Sequence, residues 1–448
     1  MQKIIIFGLA KSGIAAINFL SRLDCQIQIC DDKKVVIDKV SAMPNIIQCY
    51  DVDDLMWQGV DYLLLSPGVP LYFPTIHNIV KLANDHQVKI ISDIELFYDI
   101  FPKQNYIGIT GTNGKSTTTS LIYNIFSNSK KKVDFGGNIG KAVFDMEILP
   151  ENSHYILELS SYQLDLKHQT KLKIAILLNI TPDHLVRHGN FENYILSKKR
   201  IFENQSQDDF SVIGIDNHES AKIYNQLEKD SQFKANLIPF STKIILDKGF
   251  SIKDQIIYKN GNEIANLQNK IIIRGDHNLE NILASFISAY LFQININVII
   301  DSISKFTGLK HRMQFVKKIG NINFINDSKA TSLDSTIAAI KNFSNIHLIL
   351  GGQIKDDDFN LLKEYQDIIT KCYLIGTSTD KLYNILSDKI CCEKSYNLKE
   401  AINKSYYHAK GMKEESNILL SPAAASFDQW QDFEERGDFF IEEIDSIN

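Results

Sequence analysis

The sequence predicts an α/β protein of three consecutive units, and three observations carry that prediction. Short apolar runs of strand length alternate with helix-length amphipathic stretches along most of the 448 residues. An early apolar run feeds a glycine-bearing turn and a helix, and a later one feeds Gly111-Thr112-Asn113-Gly114-Lys115-Ser116, the pattern of a phosphate-binding loop. In the last third, small and polar residues gather at successive strand ends, the edge where open α/β sheets bind ligands. The expected division is a Rossmann-like unit over 1–95, a P-loop ATPase-like unit with a mostly parallel sheet over 96–305, and a second Rossmann-like unit over 306–448.

In the first unit, residues 3–7 read as a buried strand, followed by Gly8-Leu9-Ala10-Lys11-Ser12-Gly13, a helix over 14–20 and a second strand over 26–30. That βαβ order is of Rossmann type. Ala10 stands where the dinucleotide fingerprint has glycine, which disfavours close approach of a pyrophosphate, so a purely structural turn competes with a binding one. Strand two ends at Asp31-Asp32, whose carboxylates can accept hydrogen bonds from a nucleoside. A strand over 61–65 stops at Ser66-Pro67-Gly68, a helix over 76–86 and a strand over 89–92 follow, and 93–103 is the passage out.

The second unit opens with Tyr106-Ile107-Gly108-Ile109, the loop 110–118 and a helical segment over 119–126. Gly111 and Gly114 let backbone N–H groups turn toward an anion, the helix N-terminus adds partial positive charge, and Lys115 adds a full one. Ser116 is then placed to ligate Mg²⁺. Strict Walker spacing would need glycine at Ile109, so this is not a standard Walker A loop. Within the glycine-dense loop 136–140, Asn138 offers the lone side-chain amide. Glu158, in the apolar run 154–159, needs a cation or hydrogen-bond donors if buried, which Mg²⁺ would supply; a surface Glu on a half-exposed strand is the alternative.

The strand 174–178 closes on Asn179-Ile180-Thr181-Pro182-Asp183-His184, where His184 suits a metal ligand or phosphate contact, against a plain surface histidine. Taken alone, Lys198, Lys199 and Arg200 on the helical segment 193–204 read as a solvated basic face. From 212 to 261 the pattern breaks into short strands, with Asn260-Gly261 marking a tight hairpin. A helix opens at Arg274-Gly275-Asp276-His277-Asn278 and runs to Phe292; His277 and Asn278 suit either a cap or contact with a base.

In the third unit, strands over 323–325, 347–350, 372–375 and 417–420 lead respectively to Asn326-Asp327-Ser328-Lys329-Ala330-Thr331, Gly351-Gly352-Gln353-Ile354-Lys355, Gly376-Thr377-Ser378 and Ser421 to Trp430. No fixed-period repeat joins the three units.

Composition narrows the class. A formal net charge of −6, with no dominant basic patch, speaks against a nucleic-acid partner held by counterion release. Six cysteines without CxxC spacing fit reduced thiols in a cytoplasmic protein. The apolar start is too short for a signal peptide or membrane span.

Together these stretches resemble the Mur ligase family, ATP-dependent amide-forming enzymes of bacterial cell-wall synthesis, over nearly the whole chain. Thr110-Gly111-Thr112-Asn113-Gly114-Lys115-Ser116-Thr117 is similar to the family's shortened phosphate loop. Glu158 to Leu164, Gly351 to Lys355 and Ser421 to Phe433 resemble the D-glutamate-adding branch, and the Asp-Asn-Pro-Arg motif of the diaminopimelate- or lysine-adding branch is absent. Ala10 replaces a usual glycine, and Val186 and His188 follow His184 where the family more often has an Asp before its Arg.

The resemblance implies addition of D-glutamate to UDP-N-acetylmuramoyl-L-alanine through an acyl phosphate, by a cytoplasmic monomer with small-molecule partners and no nucleic acid or membrane. It implies Lys115, His184 and Lys198 in catalysis, with Lys198 carbamylated, and two Mg²⁺ ions near Ser116, Glu158, His184 and Lys198. ATP would meet Gly111 to Thr117, Asn278, Asn281, Arg312 and Asp327. The UDP substrate would meet Ser12, Asp31, Asp32, Gly68, Asn138, Ser161, Gln163 and His184. D-Glutamate would meet Lys329, Thr331, Lys355, Ser426, Phe427 and Phe433. A folylpolyglutamate synthase-like ligase, which should lack the N-terminal unit, and a non-catalytic nucleotide-binding regulator are the alternatives.

Overall fold

The computed structural model describes residues 2–40, 44–273, 276–354 and 357–447, without the side chains of Asp276, His277 and Asp334. The expected contributions of Lys355, Arg274 and Gly275, and of the His277 side chain, lie outside the described residues. The chain divides into two compact units, 1–306 and 307–448; the first holds two sheets and the second holds one.

In the first sheet, β1 (Gln2–Phe7), β2 (Cys25–Cys30), β3 (Ile46–Gln48), β4 (Tyr62–Leu65) and β5 (Lys89–Ile91) are all parallel, in the order β3-β2-β1-β4-β5. Ile4, Ile5, Ile6 and Phe7 are all buried, as a parallel strand covered on both faces requires. The strand order reverses at β1, so the turn after it sits at a topological switch point. Gly8 has φ +95° there, and a Cβ on Gly13 would lie 2.2 Å from the Gly8 carbonyl oxygen. The stretch expected as a passage out of this region contains the helix Asp93–Ile100, capped by Ser92 and burying Ile94, Leu96 and Phe97.

The second sheet comprises β6 (Asn105–Thr110), β7 (Val133–Gly137), β8 (His154–Glu158), β9 (Ile174–Leu177), β10 (Phe210–Gly214), β11 (Asn236–Ser241), β12 (Phe250–Lys253), β13 (Ile256–Lys259) and β14 (Asn262–Asn266). Its order is β14-β13-β12-β11-β10-β9-β6-β8-β7, and only the β12–β13 and β13–β14 pairs are antiparallel. The last hairpin turns on Asn260 and Gly261, both at positive φ, with Lys259 opposite Asn262. β6 lies between β8 and β9, so the phosphate-loop sequence begins at the second switch point. Helices Lys115–Asn128 and Asp276–Leu291 cover this sheet, packing Ile122, Ile125, Leu283 and Ile287 into one core.

The third sheet, of β15 (Gln314–Ile319), β16 (Ile322–Asn326), β17 (Ile346–Gly351), β18 (Ile369–Ile375), β19 (Cys392–Tyr396) and β20 (Ser416–Leu420), runs β15-β16-β20-β17-β18-β19. Only β15, an edge strand, is antiparallel to its neighbour. Among the described residues no helix is long and apolar enough to cross a membrane. All six cysteines are free.

Candidate active site

The loop after β6 turns tightly and then starts the helix Lys115–Asn128. Gly114, the residue before that helix, has φ +85°, and a Cβ there would lie 2.2 Å from Asn281 Oδ1, so glycine is required twice over. Asn281 Oδ1 accepts from Thr118 Oγ1 at 3.2 Å, and Asn281 Nδ2 donates to Asn278 Oδ1 at 3.0 Å. These bonds tie the start of one helix to the start of the other. Thr112 Oγ1 donates to the Thr181 carbonyl at 3.1 Å and lies 3.1 Å from the Tyr194 hydroxyl. The amides of residues 115–117 precede the first intrahelical bond, Thr118 N–H to the Gly114 carbonyl, and form the anion-facing end of the helix.

Lys115 Nζ folds back to donate to the carbonyls of Gly111 at 2.8 Å and Thr112 at 2.7 Å. Lys198 Nζ reaches the same Gly111 carbonyl at 2.8 Å and stands 4.7 Å from the centre of the Tyr194 ring. The reading of Lys198, Lys199 and Arg200 as one solvated face is therefore corrected: Lys198 is 2% exposed, whereas Lys199 and Arg200 are half-buried. Burial, and then the neighbouring Lys115 charge, hold the Lys198 amine well below the ordinary lysine range, against the pull of Asp183 and Glu158.

Glu158 is buried at the end of β8, which removes the surface-Glu alternative. Ser116 Oγ donates to its Oε2 at 2.6 Å and Asn138 Nδ2 to its Oε1 at 2.8 Å, while the Asn138 N–H binds the Glu158 carbonyl. Gly137, at φ +97°, makes that approach possible, because a Cβ on it would lie 2.5 Å from the Glu158 carbonyl oxygen. A hydroxyl and a carboxylate held together in a buried spot are the oxygen donors a hard divalent cation takes, so these residues fit Mg²⁺.

His184 sits in the left-handed conformation at φ +52°, with Nε2 3.5 Å from Asp183 Oδ2 and its ring against Tyr162. It is half-exposed and is not joined to Glu158 or Ser116. The histidine buried in this segment is His188, which motif reading did not select: Nε2 lies 2.9 Å from Ser161 Oγ, and burial pushes its pKa down to about 4. Gln163 caps its own helix by accepting from the Ser160 N–H and hydroxyl. Arg187, also missed, donates to the carbonyls of Val69 and Phe73, linking this segment to the loop after β4. A cavity of about 560 Å³ lies behind it, lined by Phe73, His188, Leu196 and Arg200 among others, and includes none of the residues expected to do chemistry.

At the first switch point, Asp31 accepts the N–H groups of Leu9 at 2.6 Å and Lys33 at 2.8 Å, so it shapes its own turn. Asp32 is exposed and pairs with His77 at 3.2 Å. Ser12 lies in the first turn of the helix Lys11–Leu20, and a Cβ on Gly68 would meet only open space. Lys11 Nζ donates to the Gly140 carbonyl, joining this turn to the loop after β7.

In the second unit, the expected residues gather at the carboxyl edge of the sheet. Asp327 is buried and accepts the Met313 N–H at 3.1 Å and the Ser421 hydroxyl at 3.0 Å; burial raises its pKa to about 7, while these bonds and the Arg312 charge oppose the rise. Lys329 Nζ stands 3.9 Å from the centre of the Phe433 ring, and the Thr331 N–H donates to the Lys329 carbonyl. Ser426 is buried and accepts, through its carbonyl, from the N–H groups of Gln429 and Trp430, while Phe427 is exposed. Arg436, not foreseen, is fully buried and ties Ser328 to Ala424.

This phosphate loop, with a buried Ser–Glu pair beside it and two lysines on one carbonyl, defines a nucleotide-dependent enzyme built on three mostly parallel sheets. Residues 109–289 match the Mur ligase middle domain and residues 2–92 the Mur ligase MurD-like N-terminal domain. The chain belongs to the Mur ligase family. Among its relatives, UDP-N-acetylmuramoylalanine--D-glutamate ligase of Rickettsia bellii is 40% identical over 452 residues, covering 100% of this chain and 98% of that protein. The enzyme of the same name from Caulobacter vibrioides is 34% identical, covering 100% and 96%. Among solved structures, UDP-N-acetylmuramate-alanine ligase MurC from Thermotoga maritima shares the fold with a TM-score of 0.59 at 17% identity, covering 100% of both chains. MurF ligase from Thermotoga maritima in complex with ADP gives 0.56 at 16% identity, covering 100% of this chain and 96% of that one.

Proposed function

We propose that this chain joins D-glutamate to UDP-N-acetylmuramoyl-L-alanine at the expense of ATP, in three domains over 1–95, 96–305 and 306–448. The observation that carries the reading is the convergence of Lys115, Lys198 and the helix N-terminus beside the buried Ser116–Glu158 pair. In the first step a carboxylate oxygen of the UDP substrate bonds to the γ-phosphorus of ATP as the bond to ADP breaks. In the second, the neutral amine of D-glutamate attacks the acyl carbon, phosphate leaves, and the amine gives up a proton. Carboxylate and triphosphate repel each other, so Lys115 and the amides of 115–117 carry the anionic charge.

Ser116, Glu158, His184 and a carbamylated Lys198 would hold two Mg²⁺ ions. When bound, Mg²⁺ would neutralise phosphate charge. Burial and the neighbouring Lys115 charge lower the Lys198 pKa well below the ordinary lysine range, which favours the neutral amine that adds to CO₂: nitrogen bonds to carbon, a proton leaves, and an anionic carbamate results. Asn278, Asn281, Arg312 and Asp327 serve the nucleotide. Ser12, Asp31, Asp32, Gly68, Asn138, Ser161, Gln163 and His184 serve the UDP substrate, and Lys329, Thr331, Lys355, Ser426, Phe427 and Phe433 serve D-glutamate. The enzyme acts as a cytoplasmic monomer.

The test is phosphate release from ATP with UDP-N-acetylmuramoyl-L-alanine and each candidate amino acid. Release with D-glutamate alone is expected; preference for L-lysine or glycine would sink the branch, and no release with any would sink the reaction.

A further inference from the structure

Asn179 anchors the outer half of the phosphate loop. Its main-chain carbonyl accepts the Thr112 N–H at 2.9 Å, its side-chain oxygen accepts the Asn113 N–H at 2.9 Å, and its NH₂ lies 3.4 Å from the Asn113 carbonyl. The same NH₂ donates to Glu280 Oε2 at 2.7 Å, from the helix Asp276–Leu291. The two ends of an amide are alike in size but opposite in hydrogen bonding, so an asparagine needs a neighbour to fix which way it points. A carboxyl oxygen at 280 accepts the NH₂ and leaves the amide oxygen for Asn113. Turned over, the amide would set donor against donor at the Asn113 N–H.

Glu280 has a fitted seat. Its Oε1 lies beside Gly214, the last residue of β10, where a Cβ would come within 3.1 Å of it and within 2.3 Å of the Leu178 carbonyl oxygen. Burial raises the Glu280 pKa to about 7; the Asn179 bond opposes this, with Asp216 adding to the rise and Lys243 countering it. In both protonation states the group keeps an oxygen that can accept from Asn179.

We propose that Glu280 is a positioning residue for the nucleotide, selecting the amide orientation of Asn179 and thereby the direction of the Asn113 N–H. With Thr112 and Asn113 held on Asn179, the amides of 115–117 remain turned toward the phosphates. This rests on the nucleotide-loop reading above.

The test exchanges donor for acceptor. Assayed well above pH 7, where Glu280 is ionised, N179D sets two acceptors face to face and is expected to raise KM for ATP about tenfold, with KM for D-glutamate unchanged. Adding E280Q supplies an NH₂ to the introduced carboxylate, and the double variant N179D/E280Q should return to within about threefold of wild type. E280Q alone can still present its oxygen and should stay close to wild type, whereas E280K offers only donors and should match N179D. Thermal melts identify any variant that fails to fold. A double variant no better than N179D, or E280K with wild-type KM for ATP, overturns the proposal. ADP affinity by calorimetry gives the same ranking without turnover. A wild type that binds ADP but ligates nothing counts against the ligase reading alone, and the ADP ranking then still decides the role of Glu280.

Discussion

Lys115 and Lys198 place their ammonium nitrogens on one acceptor, the Gly111 carbonyl oxygen, each at 2.8 Å. Two like charges on one carbonyl in a buried site repel, and the cheapest relief is loss of a proton from the more buried of them, Lys198. Lys198→Ala should therefore be nearly inactive, and added short carboxylates should restore part of the phosphate release by standing in for the proposed carbamate. Lys199→Ala should be mild, because that side chain is only half-buried and donates to Gln226 Oε1 at 3.3 Å rather than to the phosphate loop. Reversed effects of the two variants would place the working anion on the wrong lysine.

Lys115→Ala should abolish phosphate release in a protein that still folds, since Lys115 bonds two loop carbonyls rather than filling the core. Removing one such electrostatic contact costs about 3 kcal/mol or more in the barrier, a hundredfold or greater loss of rate. Steady-state phosphate release with a parallel thermal melt checks it, and near-normal turnover would overturn the loop's role.

What could be read from sequence was local. Gly111 and Gly114, the Asn260-Gly261 turn and the Rossmann-type opening each depend on residues within a few positions of one another, and each is where it was expected. The burial of Lys198 was not legible, because it depends on the distant Gly111 carbonyl after β6 meeting the face of the helix that also carries Tyr194. Nor was the helix Asp93–Ile100: its Glu95 looks like a surface charge, yet accepts the N–H groups of Gln169 and Thr170, more than seventy positions away. Asp31, expected to meet a nucleoside, is bonded to the amides of Leu9 and Lys33, a contact made only once the β1 turn has formed.

Gly114→Ala should weaken nucleotide binding more than it weakens the fold. The left-handed φ of +85° costs a non-glycine residue about 1–2 kcal/mol. The added Cβ also collides with Asn281 Oδ1, which must move away from Thr118 and Asn278. Calorimetry with ADP should show a larger loss than the melt does. A variant with wild-type ADP affinity would mean that the Asn281 contact is incidental.

Asp327 makes stability depend on pH in the direction opposite to a salt-bridged carboxylate. Burial raises its pKa from 3.8 to about 7, so the folded chain holds a proton that the unfolded chain releases. Its contribution is therefore fully present below about pH 4, falls as pH rises through the interval, and is lost above about 7. Asp327→Asn keeps an acceptor for the Met313 N–H and removes the titration. From about pH 4 to about pH 7, wild-type Tm should fall relative to that of the variant, with the gap widening as pH rises and levelling off above about 7. The melts are run on the ligand-free chain. Parallel pH profiles for wild type and variant would show that Asp327 is ionised across the range and that the Ser421 and Met313 hydrogen bonds, with the Arg312 charge, outweigh its burial.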